Sequence, residues 1–147
     1  MTGRPLDLAT YQTQEEGQYF ERKSLWHGPE GRKAPRNRKE VRDQIAEYAA
    51  AFANADGGVL ILGMEDDGTL TGHGYPPDAV KEMLKVPALR LTPPQATGWR
   101  QTVEGGEVLV FSWGPAPRAV KVQGDGYPRR VDDQVITDSE VAINEVK

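Results

Sequence analysis

The stretch AFANADGGVLILGMEDDG, residues 51–68, runs from an alanine-rich segment through a double glycine into an unbroken apolar run. It then meets three acids and another glycine. The apolar run, residues 59–64, does not alternate, so it predicts a strand buried on both faces rather than one half in water. Asn54 and Gly57 fit the stop of a preceding helix. Asp66-Asp67-Gly68 fits a hairpin-type turn, with residues 69–71 as the returning strand. A plain turn needs only one Asp and a Gly. The acids Glu65, Asp66 and Asp67 are therefore either a solvated loop or the rim of a site.

Working outward, the helix that ends at Asn54 has a readable start. Asn37 is a candidate N-cap with Glu40 three positions on, a capping-box arrangement. Val41, Ile45, Tyr48, Ala49 and Phe52 recur at helical spacing as one apolar stripe. The alanines at 49–51 make this part of the helix thin enough to lie close on a sheet. Upstream, residues 24–37 hold two prolines and two glycines without periodicity and predict a long loop. Residues 18–23 predict a short strand and residues 6–11 a short helix.

Downstream, Pro76-Pro77-Asp78 opens a second helix that should end near Leu84, before the breakers Pro87, Pro93 and Pro94. Residues 99–103 and 107–113 predict two strands and residues 119–122 a third, with 124–130 a loop. Thr137-Asp138-Ser139 suits the cap of a last helix that the chain end cuts short, which points to the N-terminal part of a longer protein. The expected fold is α/β (α+β): a mixed β-sheet covered by two main helices in a single domain, 1–147.

A chain of 147 residues with 37% hydrophobic and 27% charged residues is long and apolar enough for one packed core. The absence of cysteine excludes a disulfide framework, a cysteine zinc site and a thiol nucleophile. No apolar run approaches membrane-span length and the N-terminus lacks a signal-peptide core, so the expected location is cytoplasmic, with no membrane partner. The formal net charge is −4. It is unevenly spread: residues 22–42 carry eight Lys and Arg against Glu30 and Glu40, a local +6, which leaves −10 for the rest. Such polarity would turn one basic face toward a polyanion, or else reflects a solvated Lys/Arg-rich loop.

The acids at 65–67 lie at the carboxyl end of the predicted buried strand, where α/β sheets tend to place ligand sites. Glu16 and Glu21, five residues apart, lie on or near the first strand. If Glu21 reaches the same rim as Asp66, three carboxylates could hold a hard divalent cation such as Mg²⁺ or Mn²⁺. Such an ion stabilises charge at a scissile phosphate and activates water.

These residues carry a resemblance. Glu16, then Glu21-Arg22-Lys23-Ser24, Ala51-Phe52-Ala53-Asn54, Gly57-Gly58 and Gly63-Met64-Glu65-Asp66 resemble the Schlafen AlbA-type domain, a family also described as DNA-binding and as divergent AAA. EVLVFSWGPAPRAV and GYPRRVDDQVITDSE resemble its later strand and closing segment, so the likeness spans most of residues 14–145. Some Schlafen proteins are metal-dependent endoribonucleases, whose catalytic and metal-binding carboxylates match Glu16, Glu21 and Asp66. Bacterial members are described as nucleic-acid-binding modules of regulatory proteins, acting on DNA or RNA.

The resemblance therefore implies a nucleic-acid-binding domain of a bacterial transcription regulator. The alternatives are an endoribonuclease of the Schlafen kind and an inactive protein-interaction domain. Arg22 departs from the family's usual Phe between Glu and Lys. Nuclease Schlafens pair two such lobes around RNA, and a homodimer would supply the second here. The phosphate-facing candidates are Lys23, Arg32, Lys33, Arg36, Arg38 and Lys39.

The ATP-binding label finds no G-x4-G-K-[ST] in the chain, and Gly57-Gly58 reads as a helix exit into a strand. His27 and His73 lie in separate loops. Trp26 would stack on a base or fold back on the core. Trp99 and Trp113 read as sheet residues, and Arg129-Arg130 as a phosphate contact or as partners of Asp132 and Asp133.

Overall fold

Helix α2 (Arg38–Ala53) begins where its cap is supplied. The Asn37 side chain accepts the Glu40 N–H at 3.1 Å, a cap worth about 1 kcal/mol. The other half of a capping box is missing, because the Glu40 carboxylate takes a hydrogen bond from Arg36 instead. Val41, Ile45, Ala46, Ala49 and Phe52 are buried along one stripe. The helix ends at Asn54, and Gly57 follows with φ +81°. A Cβ at Gly57 would lie 2.5 Å from the Trp113 carbonyl oxygen. Backbone conformation and close approach both demand glycine there.

That exit feeds β4 (Gly58–Leu62), which lies inside a four-stranded sheet. On one side it pairs in parallel with β1 (Phe20–Lys23). On the other it pairs antiparallel with β7 (Gly106–Trp113), which carries β6 (Trp99–Val103) beyond it. The order is β1-β4-β7-β6. Leu60, Leu62, Leu109, Phe111 and Trp113 pack with α2 and α3 (Pro77–Arg90).

Phe20, Ile61, Val108 and Val110 turn to the opposite face, which the chain start and α1 (Leu8–Thr13) cover with Leu6, Leu8 and Tyr11. The sheet is mixed and two helices cover one face, as the sequence pattern predicts. Strand β4 shares its residues between two cores, as its non-alternating apolar run predicts. Leu62 lies under α2, whereas Val59 and Ile61 belong to the other side.

The structure describes residues 5–104, 106–123, 126–138 and 142–144, and it is a computed structural model. Four local expectations change. Helix α3 runs through Pro87 to Arg90 instead of stopping near Leu84. Pro87 lacks the N–H for one helical bond, but Val86, Pro87 and Leu91 are buried, and that packing holds the last turn in register.

Residues 24–37 are not wholly loop: β2 (Trp26–His27) and β3 (Ala34–Pro35) form a short hairpin. Residues 124–130 overlap a strand: β9 (Tyr127–Val131) pairs antiparallel with β10 (Gln134–Asp138). Thr137 and Asp138 therefore lie in β10 rather than capping a helix, and Ser139 lies outside the described residues. The short strands β5 (Leu91–Thr92) and β8 (Lys121–Val122) pair with each other.

Asn54 ties these parts together. Its Nδ2 donates to the carbonyls of Val120 and Pro128 at 2.8 Å each, and its Oδ1 accepts the Val120 N–H at 2.6 Å. The side chain is buried, so α2, the segment before β8, and β9 meet at one saturated amide. Among the described residues no helix is long and apolar enough to cross a membrane.

Candidate functional site

Strand alternation sorts β1 into two pairs. Phe20 and Arg22 face the α1 side, and Glu21 and Lys23 face α2. Glu21 is almost fully buried and its Oε1 accepts from Arg130 Nη1 at 2.9 Å. Arg130, also buried, donates further to the carbonyls of Gly17 and Phe20 and stacks over Tyr48 and Phe52, 5.7 and 5.1 Å from the ring centres.

Glu16 completes the cluster. Its carboxylate accepts from the protonated Glu21 carboxyl and from the Arg22 N–H at 3.0 Å. Lys23 Nζ lies 5.9 Å from the Tyr48 ring centre. Glu16 and Lys23 are partly exposed, so they form the accessible lip of the cluster with Glu21 behind them.

The electrostatics follow from that depth. Burial pushes the Glu21 carboxyl up to about 7, with the hydrogen bond to Glu16 adding to the shift and Arg130 opposing it. Burial works the same way on Glu16. It is outweighed there by the Glu21 hydrogen bond, the Arg22 N–H and the Lys23 charge, so Glu16 stays below the usual carboxylate range. The pair thus holds a proton on the inner carboxyl and a charge on the outer one. Burial disfavours the Lys23 ammonium, but Tyr48, Glu21 and Glu16 together hold its affinity for protons above the ordinary lysine range.

The structure brings Glu16 and Glu21 together, and it leaves the Asp66 side chain exposed in its turn. What meets β1 from that turn is the Asp66 carbonyl, which accepts from Arg22 Nε at 3.4 Å. The Arg22 guanidinium also donates to the Gln14 carbonyl through both terminal nitrogens and lies 5.1 Å from the Phe20 ring centre. An arginine at this position therefore latches the chain start and the acidic turn to β1. Among the described residues, no three His, Cys, Asp or Glu side chains gather as a cation site requires. The arrangement is a two-carboxylate site and does not fit a three-carboxylate metal centre.

The six basic candidates divide. Arg36 is mostly enclosed: it donates to Gln44, Glu40 and the Ser24 carbonyl and so pins the β2–β3 hairpin to α2. Lys39 pairs with Asp43 on the same helix. Lys23 belongs to the carboxylate cluster. The side chains of Arg32, Lys33 and Arg38 are exposed and make no hydrogen bond or ion pair among the described residues. They sit in the β2–β3 turn and on the first turn of α2.

Trp26 folds back, with Nε1 donating to the Thr71 carbonyl at 3.1 Å. His73 Nδ1 accepts the Tyr75 N–H, which leaves Nε2–H to donate to Glu107 at 2.8 Å. His27 lies exposed on β2. Trp113 is buried and donates to the Ala96 carbonyl. Arg130 pairs with Glu21 rather than with Asp132 or Asp133. Arg130 and Tyr48 are the members of the cluster that sequence reasoning missed. The one signal for Tyr48 was its hydroxyl on an otherwise apolar stripe.

A βαβ-like opening with a glutamate pair at the first strand, one on it and one before it, followed by an antiparallel extension, defines a mixed α+β domain with a polar site at its sheet edge. The Schlafen, AlbA_2 family pattern matches residues 16–137, and the chain belongs to that family. Among solved structures it resembles the DIP2311 protein of Corynebacterium diphtheriae, with 23% identity and a TM-score of 0.62 over 82% of this chain. The match spans 22% of that protein's chain. It also resembles the N-terminal domain of a Nitrosomonas europaea protein named for its relation to the ATP-dependent DNA helicase RecG. There the identity is 21% and the TM-score 0.51, over 90% of this chain and 87% of that one. At these identities the likeness is one of fold. No match was found among curated proteins.

Proposed function

We propose that this chain is a nucleic-acid-binding domain of a regulator-type protein, gripping phosphates through Arg32, Lys33 and Arg38. The observation that carries the reading is that these three exposed cations, in the hairpin turn and on the first turn of α2, make no ion pair among the described residues. The enclosed Arg36 beneath them fixes the hairpin against α2, so the cations are presented by a braced element rather than a free loop. Family membership supports the reading, as does the DNA-related name of one fold relative.

Phosphate contacts release counterions, so affinity for duplex DNA should fall with salt at a slope of about −0.9 per contact. Titrating labelled duplex DNA and structured RNA at several salt concentrations tests the proposal. Replacing Arg32, Lys33 and Arg38 by Gln should flatten the slope by about 2 to 3 and weaken all sequences alike. Binding indifferent to salt and to these substitutions would remove the hairpin from the interface.

A second reading, RNA cleavage of the Schlafen kind, is favoured by the Glu16–Glu21 contact. A carboxyl that holds its proton to about pH 7 beside a charged carboxylate and Lys23 is suited to proton transfer at neutral pH. In this reading Glu16 and Lys23 face the substrate, and Glu21 sets the charge of Glu16 from behind. Glu21→Gln should then abolish cleavage of structured RNA while leaving salt-dependent binding in place. Intact RNA with the wild type, with and without Mn²⁺, would dispose of it.

A further inference from the structure

The basic segment of the sequence ends at Arg42, but the positive charge does not end there in space. Arg42 reaches across to Glu82 of α3 at 3.7 Å. Beside that contact, Lys81 and Lys85 stand four residues apart on α3, both exposed. Neighbouring cations already have carboxylate partners: Arg90 pairs with Asp43 and Arg100 with Glu107. The Lys81 and Lys85 side chains make no ion pair or hydrogen bond among the described residues.

The two lysines form a ridge between two clefts. The first, about 380 Å³, lies against α2, with Arg42 and Arg90 on its walls and the aliphatic Val86 and Leu89 within it. Leu89 is 73% exposed. The second, about 460 Å³, lies toward β6, with Leu84, Gly98 and Arg100 around it. Both clefts share the lysine pair. A positive ridge flanked by aliphatic hollows suits a strand that carries phosphates outside and sugars beside them.

We infer that the Lys81–Lys85 ridge of α3 is a second phosphate-contact line, so that the nucleic acid spans α3 as well as the hairpin and the start of α2. This rests on the nucleic-acid-binding reading above. Four residues of helix advance about 6 Å, and each phosphate step of a duplex strand advances about 3.4 Å along its axis. Phosphates two steps apart on one strand, about 6.8 Å along the axis, therefore match the spacing of the two lysines. A lysine ammonium serves such contacts as a point charge without the planar fork of arginine. The ridge accordingly adds affinity without reading sequence.

The test compares the wild type, the Lys81→Gln/Lys85→Gln variant and the Arg32→Gln/Lys33→Gln/Arg38→Gln variant of the 147-residue chain. Each is titrated with duplex DNA, with hairpin RNA and with a polyglutamate peptide across a salt series. The lysine variant should melt like the wild type, because both side chains are exposed. It should lose roughly tenfold in affinity for duplex DNA near 0.1 M salt and flatten the slope by close to 1.8.

A wild type that binds nucleic acid with a lysine variant of unchanged slope would overturn the ridge and leave the hairpin reading standing. A wild type that binds neither DNA nor RNA would overturn the binding reading itself. Polyglutamate bound more tightly than duplex, and lost with the same lysines, would assign the ridge to an acidic protein partner and overturn the inference.

Discussion

Arg130 Nη1 and Glu21 Oε1 lie 2.9 Å apart with both side chains almost fully buried, although 109 residues separate them in sequence. The pair fastens the β9–β10 hairpin to β1 beside the helix that supports the carboxylate cluster. A buried pair is weak proof of net stabilisation, but removing one partner strands the other. Arg130→Ala leaves three buried acceptors, Glu21 and the carbonyls of Gly17 and Phe20, without their donor, and at about 1–3 kcal/mol each should cost roughly 3–5 kcal/mol. Arg130→Lys should recover only part, because an ammonium cannot reach Glu21, Gly17 and Phe20 with one planar group. Urea unfolding midpoints check both, and a loss below about 1 kcal/mol for the alanine variant would contradict the account.

The same cluster sets a pH dependence. Glu21 holds its proton to about pH 7 when folded, against 4.5 for an exposed glutamate. Between those values the folded chain binds a proton that the unfolded chain has released. The stability linked to Glu21 is therefore fully present below about 4.5 and lost as pH rises through about 7. Solvent screening at a cluster with a partly exposed lip reduces the effect to on the order of 1 kcal/mol. Glu16, shifted the other way, contributes stability that is lost in acid below its depressed value. Unfolding midpoints at pH 5.5 and 8 should show the higher stability at 5.5. Glu21→Gln, which mimics the protonated form, should remove that component of the difference. A slope unchanged in the variant would place the titration elsewhere.

Asn54 offers a test independent of charge. Asn54→Ala strands the Val120 N–H and the carbonyls of Val120 and Pro128 in a buried setting. Each unsatisfied buried group costs about 1–3 kcal/mol. The expected loss is roughly 3 kcal/mol, with the hairpin and β8 exchanging backbone hydrogens faster than β4. Uniform exchange across β4 and β9 would show that the amide does not join them.

The parts of the fold legible in sequence are those governed by local periodicity and backbone restriction. The α2 stripe, its Asn37 cap, the glycine exit and the non-alternating β4 all fall in this class. Asn54 was readable as a helix stop but not as a clamp, because its partners lie 66 and 74 residues away. Strand β9 was hidden because Pro128 and two arginines in five residues give no β pattern; pairing with β10 and packing on α2 decide it. Pro87 misled because its local cost is fixed, whereas the burial that offsets it is tertiary. In the site, the Glu16–Glu21 meeting follows from a short turn before β1. The inward role of Arg130 is a long-range contact that no spacing encodes.

The last prediction concerns Mg²⁺ and Mn²⁺. Two carboxylates meet at β1, but one already faces Arg130 and both lie near Lys23, so an arriving dication must compete with resident positive charge. Asp66 stands exposed in its turn, where Arg22 holds its carbonyl and not its carboxylate. Hard cations with so few protein ligands rely on substrate phosphates to complete their shell. Mn²⁺ near 1 mM should therefore leave the melting temperature of the protein alone unchanged within about 1 °C. A site with a dissociation constant a hundredfold lower would add about 2.7 kcal/mol, or several degrees for a chain of this size. Thermal melts of the wild type and of Asp66→Asn with and without Mn²⁺ decide the matter. A rise of several degrees that Asp66→Asn abolishes would show that the Asp66 side chain swings inward to make a third ligand. It would also shift the weight from the phosphate-binding reading to the hydrolytic one.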